Sequence, residues 1–160
     1  MRENVVRCKM IDDIRIEPMN ETHLEDIALL EKQCFSVPWT AKMLEAELEK
    51  ENSRFFVAIT KNGVSGYIGA NNVLGEVYVN NIAVFYNYRG FGIGKALLSH
   101  LIAVSVEEKC DMVTLEVRVS NESARNLYKK LNFKEVGIRK NFYDKPNEDA
   151  IIYTKYLGEA

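Results

Sequence analysis

Residues 77–101 constrain the fold more than any other part of the chain. They open with Val77-Tyr-Val-Asn-Asn-Ile-Ala-Val84, rich in the β-branched and aromatic residues of a buried strand. They close with a helical pattern that puts Ile93, Leu97, Leu98 and Leu101 on one face. Between the two sit Gly90, Gly92 and Gly94, at every second position, with Phe91 and Ile93 interleaved. Glycine lets the backbone take positive φ and lie close against a ligand. The N–H groups of a first helical turn point outward, and the helix dipole adds positive potential there. Strand, glycine turn and helix together predict a cradle for phosphate or pyrophosphate, with Arg89 and Lys95 supplying charge at its edges. The alternative is a turn that only packs tightly.

Two familiar phosphate loops do not fit. A Walker A loop needs four residues between its first glycine and the Gly-Lys pair, followed by Ser or Thr. Here three residues separate Gly90 from Gly94, and Ala96 follows Lys95. A dinucleotide fingerprint needs its third glycine three residues after the second, whereas Gly94 comes two after Gly92. Neither a nucleoside triphosphate nor NAD is the expected ligand.

The rest of the composition narrows the class. A chain of 160 residues with 47% hydrophobic residues can bury the core of one domain. A formal charge of -2 gives no nucleic-acid footprint and no polybasic membrane anchor. Cys8, Cys34 and Cys110 are scattered and odd in number, which predicts a reducing cytoplasm and no disulfide framework. His23 and His100 lack metal-ligand spacing, are expected on helix surfaces, and no metal is expected. No apolar run is long enough to span a bilayer. Residues 1–10 are charged, lack a signal-peptide core and are expected to form a loose tail, leaving 11–160 as the folded domain.

Ile14-Arg-Ile-Glu-Pro18 alternates as a first strand. Thr22-His-Leu-Glu25 reads as a capping box for a helix with Leu24, Ile27 and Ala28 on its buried face. Thr40 caps a second helix carrying Met43, Leu44 and Leu48, whose Glu45, Glu47, Glu49 and Glu51 are expected in solvent. Residues 54–60 and 64–74 form a hairpin around Lys61-Asn-Gly63. The next strand spans 76–84, and Asn80-Asn81 interrupts its apolar pattern, predicting a bulge or splay. After the glycine-rich helix come a strand over 111–119, a short helix with Ala124, Leu127, Tyr128 and Leu131, and strands over 133–143 and 150–157. The order predicts an α/β chain around a mixed sheet.

Arg89-Gly-Phe-Gly-Ile-Gly94 resembles the R/Q-x-x-G-x-G/A pyrophosphate loop of the GNAT N-acetyltransferases, which use acetyl-CoA. Asn81-Ile-Ala-Val84, Leu115-Glu-Val-Arg118 with Ser120-Asn121, Leu127-Tyr128 with Asn132-Phe133, Glu148-Asp-Ala-Ile151 and Phe35-Ser-Val-Pro-Trp39 resemble the RimI-type ribosomal-protein-alanine acetyltransferases of that family. The resemblance covers about Ile14 to Tyr156. It implies a single domain with a mostly antiparallel central sheet of about seven strands, splayed between strands 4 and 5, and four helices. It also implies a protein N-terminus as partner, the N-terminal alanine of a small-subunit ribosomal protein, with no metal, nucleic acid or membrane involved. The oligomeric state is left open between monomer and weak dimer.

Glu116 is an acid among Val113, Leu115, Val117 and Val119. Buried carboxylates are paired or functional, so it is read either as a general base or as the partner of Arg118, two residues on and on the same strand face. The L-E-V-R resemblance implies the base. Tyr128 is a core tyrosine by position; the resemblance implies the general acid that protonates the departing thiolate. Asn121 is placed to cap the following helix, and the resemblance adds a contact with acetyl-CoA. The same source implies that Ile82, Ala83 and Val84 offer backbone groups to the pantetheine arm, and that Arg89, Gly90, Phe91, Gly92, Ile93, Gly94 and Lys95 hold the diphosphate. Trp39 and Tyr143, the latter beside Phe142, are expected near the acceptor peptide; edge-strand aromatics covering the core are the alternative for the pair. Phe85-Tyr-Asn-Tyr88 lacks the proline often found after I-A-V, and Phe142 replaces a frequent tyrosine. Acetylation of a small amine or polyamine, and a non-catalytic acetyl-CoA-binding module, remain as other readings.

Overall fold

The computed structural model describes residues 13–158. The expected tail, residues 1–10, lies outside the described residues. The strands are β1 (Arg15–Pro18), β2 (Ser53–Thr60), β3 (Gly63–Val73), β4 (Glu76–Val84), β5 (Met112–Arg118), β6 (Lys134–Tyr143) and β7 (Glu148–Tyr156). The α-helices among the described residues are α1 (Leu24–Cys34), α2 (Ala41–Leu48), α3 (Ile93–Glu107) and α4 (Glu122–Lys130). One sheet runs in the order β1-β2-β3-β4-β5-β7-β6, with β1 and β6 at its edges. The β4–β5 pair is parallel, and the β1–β2, β5–β7 and β6–β7 pairs are antiparallel. This is the mixed sheet that the element order predicts, with the seven strands and mostly antiparallel pairing that the resemblance implies.

The chain forms two compact units, one of residues up to Ala70 with Asn81–Leu101, the other of Asn71–Asn80 with residues from Ile102 onward. In the first unit the expected helix faces are buried: Leu24, Ile27 and Ala28 of α1, and Ile93, Leu97, Leu98 and Leu101 of α3. Leu24, Ile27 and Ala28 join Leu30, Leu44, Val57 and Tyr67, all four fully buried, in one cluster. Thr40 caps α2 as expected, its Oγ1 accepting from Met43 N at 3.2 Å.

Three local expectations change. The capping residue before α1 is Asn20, not Thr22, and it caps a 3-10 turn that leads into the helix, while α1 itself has no side-chain cap. Asn20 Oδ1 accepts from Thr22 N at 2.9 Å, and His23 Nδ1 accepts from Asn20 N at 3.1 Å. An Asn side chain reaches a backbone N–H two residues on, which starts a 3-10 turn at Glu21–His23 before the α-helix. His23 is therefore buried rather than on a helix surface. Glu47 is buried too, accepting from Lys50 Nζ at 2.7 Å and from the Ser53 hydroxyl, so it does not belong with the solvated acids of α2.

In the second unit Val113, Leu115 and Val117 of β5 are buried with Phe133, Ala150, Ile151 and Tyr153. The β4–β5 ladder consists of Glu76↔Met112, Val77↔Val113 and Tyr78↔Thr114. It stops at Tyr78, whereas β4 runs on to Val84. From there β5 is paired along its whole length with β7.

Candidate active site

The glycine turn in the first unit has the conformation its residues predict. Gly90 and Gly92 both sit at φ +82°, where any other residue is strained, and the space where a Cβ would project is open at both. Gly94 lies inside the first turn of α3, which closes with Ala96 N donating to Gly92 O at 3.0 Å. By helix geometry the N–H groups before Ala96 have no partner within the helix. Lys95 is exposed. The open turn, free donors and cation fit a diphosphate. Arg89 folds back: its Nε donates to Val84 O at 3.1 Å, its Nη2 to Cys34 Sγ at 3.3 Å, and its guanidinium lies 5.5 Å from the Tyr86 ring centre. It braces the loop against the end of β4.

Ile82, Ala83 and Val84 lie beyond the last β4–β5 pair. Phe85 N donates to Ser65 O at 2.9 Å, tying the strand's end to β3. Trp39 is half-buried, with its ring 5.9 Å from that of Phe55. Behind it stands Glu31, a carboxylate with 0% exposure. Glu31 Oε2 accepts from Trp39 N at 3.1 Å, and Oε1 accepts from the Tyr67 hydroxyl and from Asn81 Nδ2 at 2.7 Å. Loss of water raises its pKa in spite of these three donors. Asn81 thus breaks the apolar pattern of β4 because its side chain serves this carboxylate.

The second unit gathers the titratable groups. Glu116, opposite Ile152, and Arg118, opposite Ala150, occupy successive rows on one face of the sheet. They do not pair. Arg139 of β6, also opposite Ala150, reaches Glu116 with Nε–Oε1 at 3.1 Å. Ala150 is small, and Gly137, the β6 residue opposite Ile152, has no side chain, so the guanidinium can lie across β7. The Glu116 side chain is 26% exposed and that of Arg139 56%.

Arg118 instead fastens the β6–β7 turn. Its Nη1 donates to Pro146 O at 2.9 Å and to Glu148 Oε1 at 3.4 Å, and its Nη2 to Asp144 O at 3.0 Å. Its guanidinium stacks 4.4 Å from the Tyr143 ring centre. Glu148 also accepts from Ser120 N at 2.6 Å and Ser120 Oγ at 2.9 Å, which hold its pKa below the usual carboxylate range. Tyr143, half-buried, has its hydroxyl pushed up to about 12, by burial first and then by the charge of Glu116. Phe142 stands edge-on to it at 5.0 Å and is half-exposed, so the pair does not cover the core.

Tyr128 has 4% exposure, and its ring packs 5.6 Å from Tyr153 and 5.9 Å from Phe133. Its pKa is raised by burial, then by the neighbouring tyrosines Tyr143 and Tyr153. Its hydroxyl has no hydrogen-bond partner among the described residues, yet none of their fully buried side-chain polar atoms lacks one, so this oxygen keeps an opening to the surface. Asn121 is the N-cap of α4, its Oδ1 accepting from Ala124 N at 3.2 Å.

The two units thus hold different parts of the predicted set. The turn, the β4 backbone and Trp39 belong to the first; Glu116, Tyr128, Tyr143 and Asn121 belong to the second. Sequence reasoning missed Arg139 and Glu31. Only the offset of β6 against β7 brings Arg139 to Glu116, and Glu31 sits at an ordinary inward helix position with no local sign of its partners.

Residues 24–133 match the Acetyltransferase (GNAT) family. The chain is 37% identical over 145 residues to the ribosomal protein bS18-alanine N-acetyltransferase of Haemophilus influenzae, covering 89% of this chain and 98% of that one. It is 34% identical over 140 residues to the enzyme of the same name from Escherichia coli K12, covering 86% and 93%. The crystal structure of the ribosomal-protein-S18-alanine N-acetyltransferase from Escherichia coli superposes with a TM-score of 0.84 at 32% identity, over 92% of this chain and 96% of that one. The protein is an N-acetyltransferase and belongs to the GNAT family.

Proposed function

We propose that this chain, with residues 11–160 as its catalytic domain, acetylates a protein N-terminal α-amine in the cytoplasm. Its acetyl donor is acetyl-CoA, and its acceptor is the N-terminal alanine of a small-subunit ribosomal protein. The relatives that share a third of their residues with it over nearly their whole length carry that activity in their names. The observation that carries the chemistry is the half-buried Glu116 carboxylate, held by one half-exposed arginine on the same sheet face as Arg118. A protein α-amine has a pKa of about 7.7–8.0, so only about a tenth of it is neutral at pH 7. In this mechanism Glu116 takes the amine proton, directly or through a water. The nitrogen then bonds to the acetyl carbonyl carbon while N–H groups among Ile82, Ala83 and Val84 steady the oxyanion. As the C–S bond breaks, the Tyr128 hydroxyl gives its proton to the sulfur, and the further proton that the nitrogen sheds on becoming an amide restores the phenol. The turn of Arg89–Lys95 and the amide of Asn121 hold the cosubstrate, and Trp39 and Tyr143 face the acceptor. No metal takes part.

The test is mass spectrometry of a pool of peptides with varied N-terminal residues, incubated with enzyme and acetyl-CoA. N-terminal alanine peptides gain an acetyl group first, and preferential acetylation of small amines added to the same mixture refutes the acceptor. Glu116→Gln lowers kcat about 10²-fold or more at unchanged acetyl-CoA affinity, the usual scale for a lost general base. Equal activity removes Glu116 from the mechanism.

A further inference from the structure

We propose that Glu31 is a positioning residue for the acceptor-binding segment: its buried carboxylate fixes the backbone at Trp39 and, through Asn81, the β4 residue that precedes Ile82. The assignment of Trp39 to the acceptor rests on the proposed function; the anchoring of Trp39 does not. Taking a carboxylate fully out of water costs several kcal/mol, and apolar residues of like volume commonly fill such a place as well or better. Glu31 faces a core of Ile27, Leu30, Leu44, Phe55 and Tyr67, where leucine or methionine would fit its volume. What a hydrophobe cannot do is accept hydrogen bonds from three separate parts of the chain. The carboxylate takes the Trp39 N–H from the segment after α1, the Tyr67 hydroxyl from β3 and the Asn81 amide from β4. Apolar packing of the Trp39 ring on Phe55 tolerates sliding; a hydrogen bond to the backbone N–H of Trp39 does not.

The split between the two oxygens allows a selective break. Oε1 serves Tyr67 and Asn81, and Oε2 serves Trp39 alone. In Glu31→Gln the remaining oxygen stays with its two donors, and the new NH₂ group meets the Trp39 N–H donor to donor. Only the Trp39 tether is lost. In Tyr67→Phe the tether stays and one donor to Oε1 goes.

Trp39 is the only tryptophan of the chain, so its fluorescence reads the segment directly. Glu31→Gln raises peptide KM about tenfold, leaves acetyl-CoA KM within twofold, and at least doubles acrylamide quenching of Trp39. Tyr67→Phe leaves peptide KM and quenching within a factor of two. Should Glu31→Gln fail to fold, the double variant Glu31→Met with Tyr67→Phe removes the carboxylate together with its phenol donor, leaving only the Trp39 N–H and the Asn81 amide without their acceptor. It is expected to show the same rise in peptide KM and in quenching. Wild-type quenching and peptide KM in a folded Glu31 variant, or equal changes in Tyr67→Phe, overturn the proposal. If the wild-type enzyme acetylates no N-terminal peptide, the proposed function fails on its own, and the quenching comparison still decides the role of Glu31.

Discussion

Replacing Tyr128 by phenylalanine removes one oxygen and leaves the ring. The ring contacts with Phe133 and Tyr153 persist, so no cavity opens. The hydroxyl has no hydrogen-bond partner among the described residues, so the roughly 1 kcal/mol typical of a lost hydrogen bond is not forfeited. Stability should therefore stay within about 0.5 kcal/mol, or about 2 °C in Tm for a domain of this size. Catalysis should not be spared. Burial keeps the phenol protonated throughout the working pH range, so its proton is always available. A thiol with a pKa near 8.5 is a fair leaving group even without help, which places the expected loss at the lower end for a general acid, about 10²-fold in kcat. Steady-state kinetics with a saturating alanine peptide, following free thiol release, measures it, and scanning calorimetry runs beside it. A kcat within threefold of wild type removes Tyr128 from the proton path. A Tm lowered by several degrees shows that the hydroxyl serves the fold, and the reasoning from its missing partner fails.

Three further outcomes follow from single contacts. In Gly66→Ala the new Cβ would stand 2.8 Å from Ala83 O and 3.2 Å from Ile93 Cγ2, so the β4 carbonyl must move; overpacking of this kind costs about 1–3 kcal/mol. The expected result is a Tm lower by about 2–10 °C with weaker CoA binding by calorimetry, and wild-type values for both refute it. Arg118→Ala removes the donors to Asp144 O and Pro146 O, so backbone amides of residues 144–147 should exchange faster with deuterium and peptide KM should rise at unchanged acetyl-CoA KM. Tyr128 and Tyr143 both have folded-state pKa values above the unfolded value of about 10, by burial first, with Tyr143 near 12. A raised pKa means that the unfolded chain loses these protons first, so their contribution is complete below about pH 10 and declines as pH climbs toward 12 and beyond. Urea midpoints should be flat from pH 7 to about 9.5 and fall above 10, less steeply in Tyr128→Phe; equal slopes contradict the assignment.

What the sequence reveals here is what neighbours along the chain determine. The glycine turn, the cap at Thr40 and the buried faces of α1 and α3 depend on residues within a turn or two of one another, and each appears where the pattern places it. Asn20 displaced Thr22 as cap because two side chains with the same local skill stand two residues apart, and only the 3-10 geometry chooses between them. Glu47 and Glu31 escaped for a different reason. Composition sends glutamates to solvent, and the donors that make them exceptions are Ser53 and Lys50 in one case, and Tyr67 and Asn81, brought in by β3 and β4, in the other. Arg139 reaches Glu116 only through the offset of β6 along β7, which shifts its register between Glu135 and Gly137. No spacing rule contains that offset.

The separate partners of Glu116 and Arg118 matter for the proposed chemistry. A pair between these two would have tied the base to the residue that also holds the β6–β7 turn, and an incoming amine would have had to disturb both. Instead Arg118 is held by two carbonyls, by Glu148 and by the face of Tyr143, the grip of a scaffold residue. Glu116 is held by one arginine whose side chain is 56% exposed. An ion pair that open to water is worth roughly 0.2–1 kcal/mol, little enough for an ammonium ion to replace it at the carboxylate. Arg139 therefore orients the proposed base between turnovers without competing strongly for it, while Arg118 keeps its own separate partners. The same logic explains why Glu116 is only half-buried: a deeper carboxylate would need partners as firm as those of Glu31, and partners that firm would not leave.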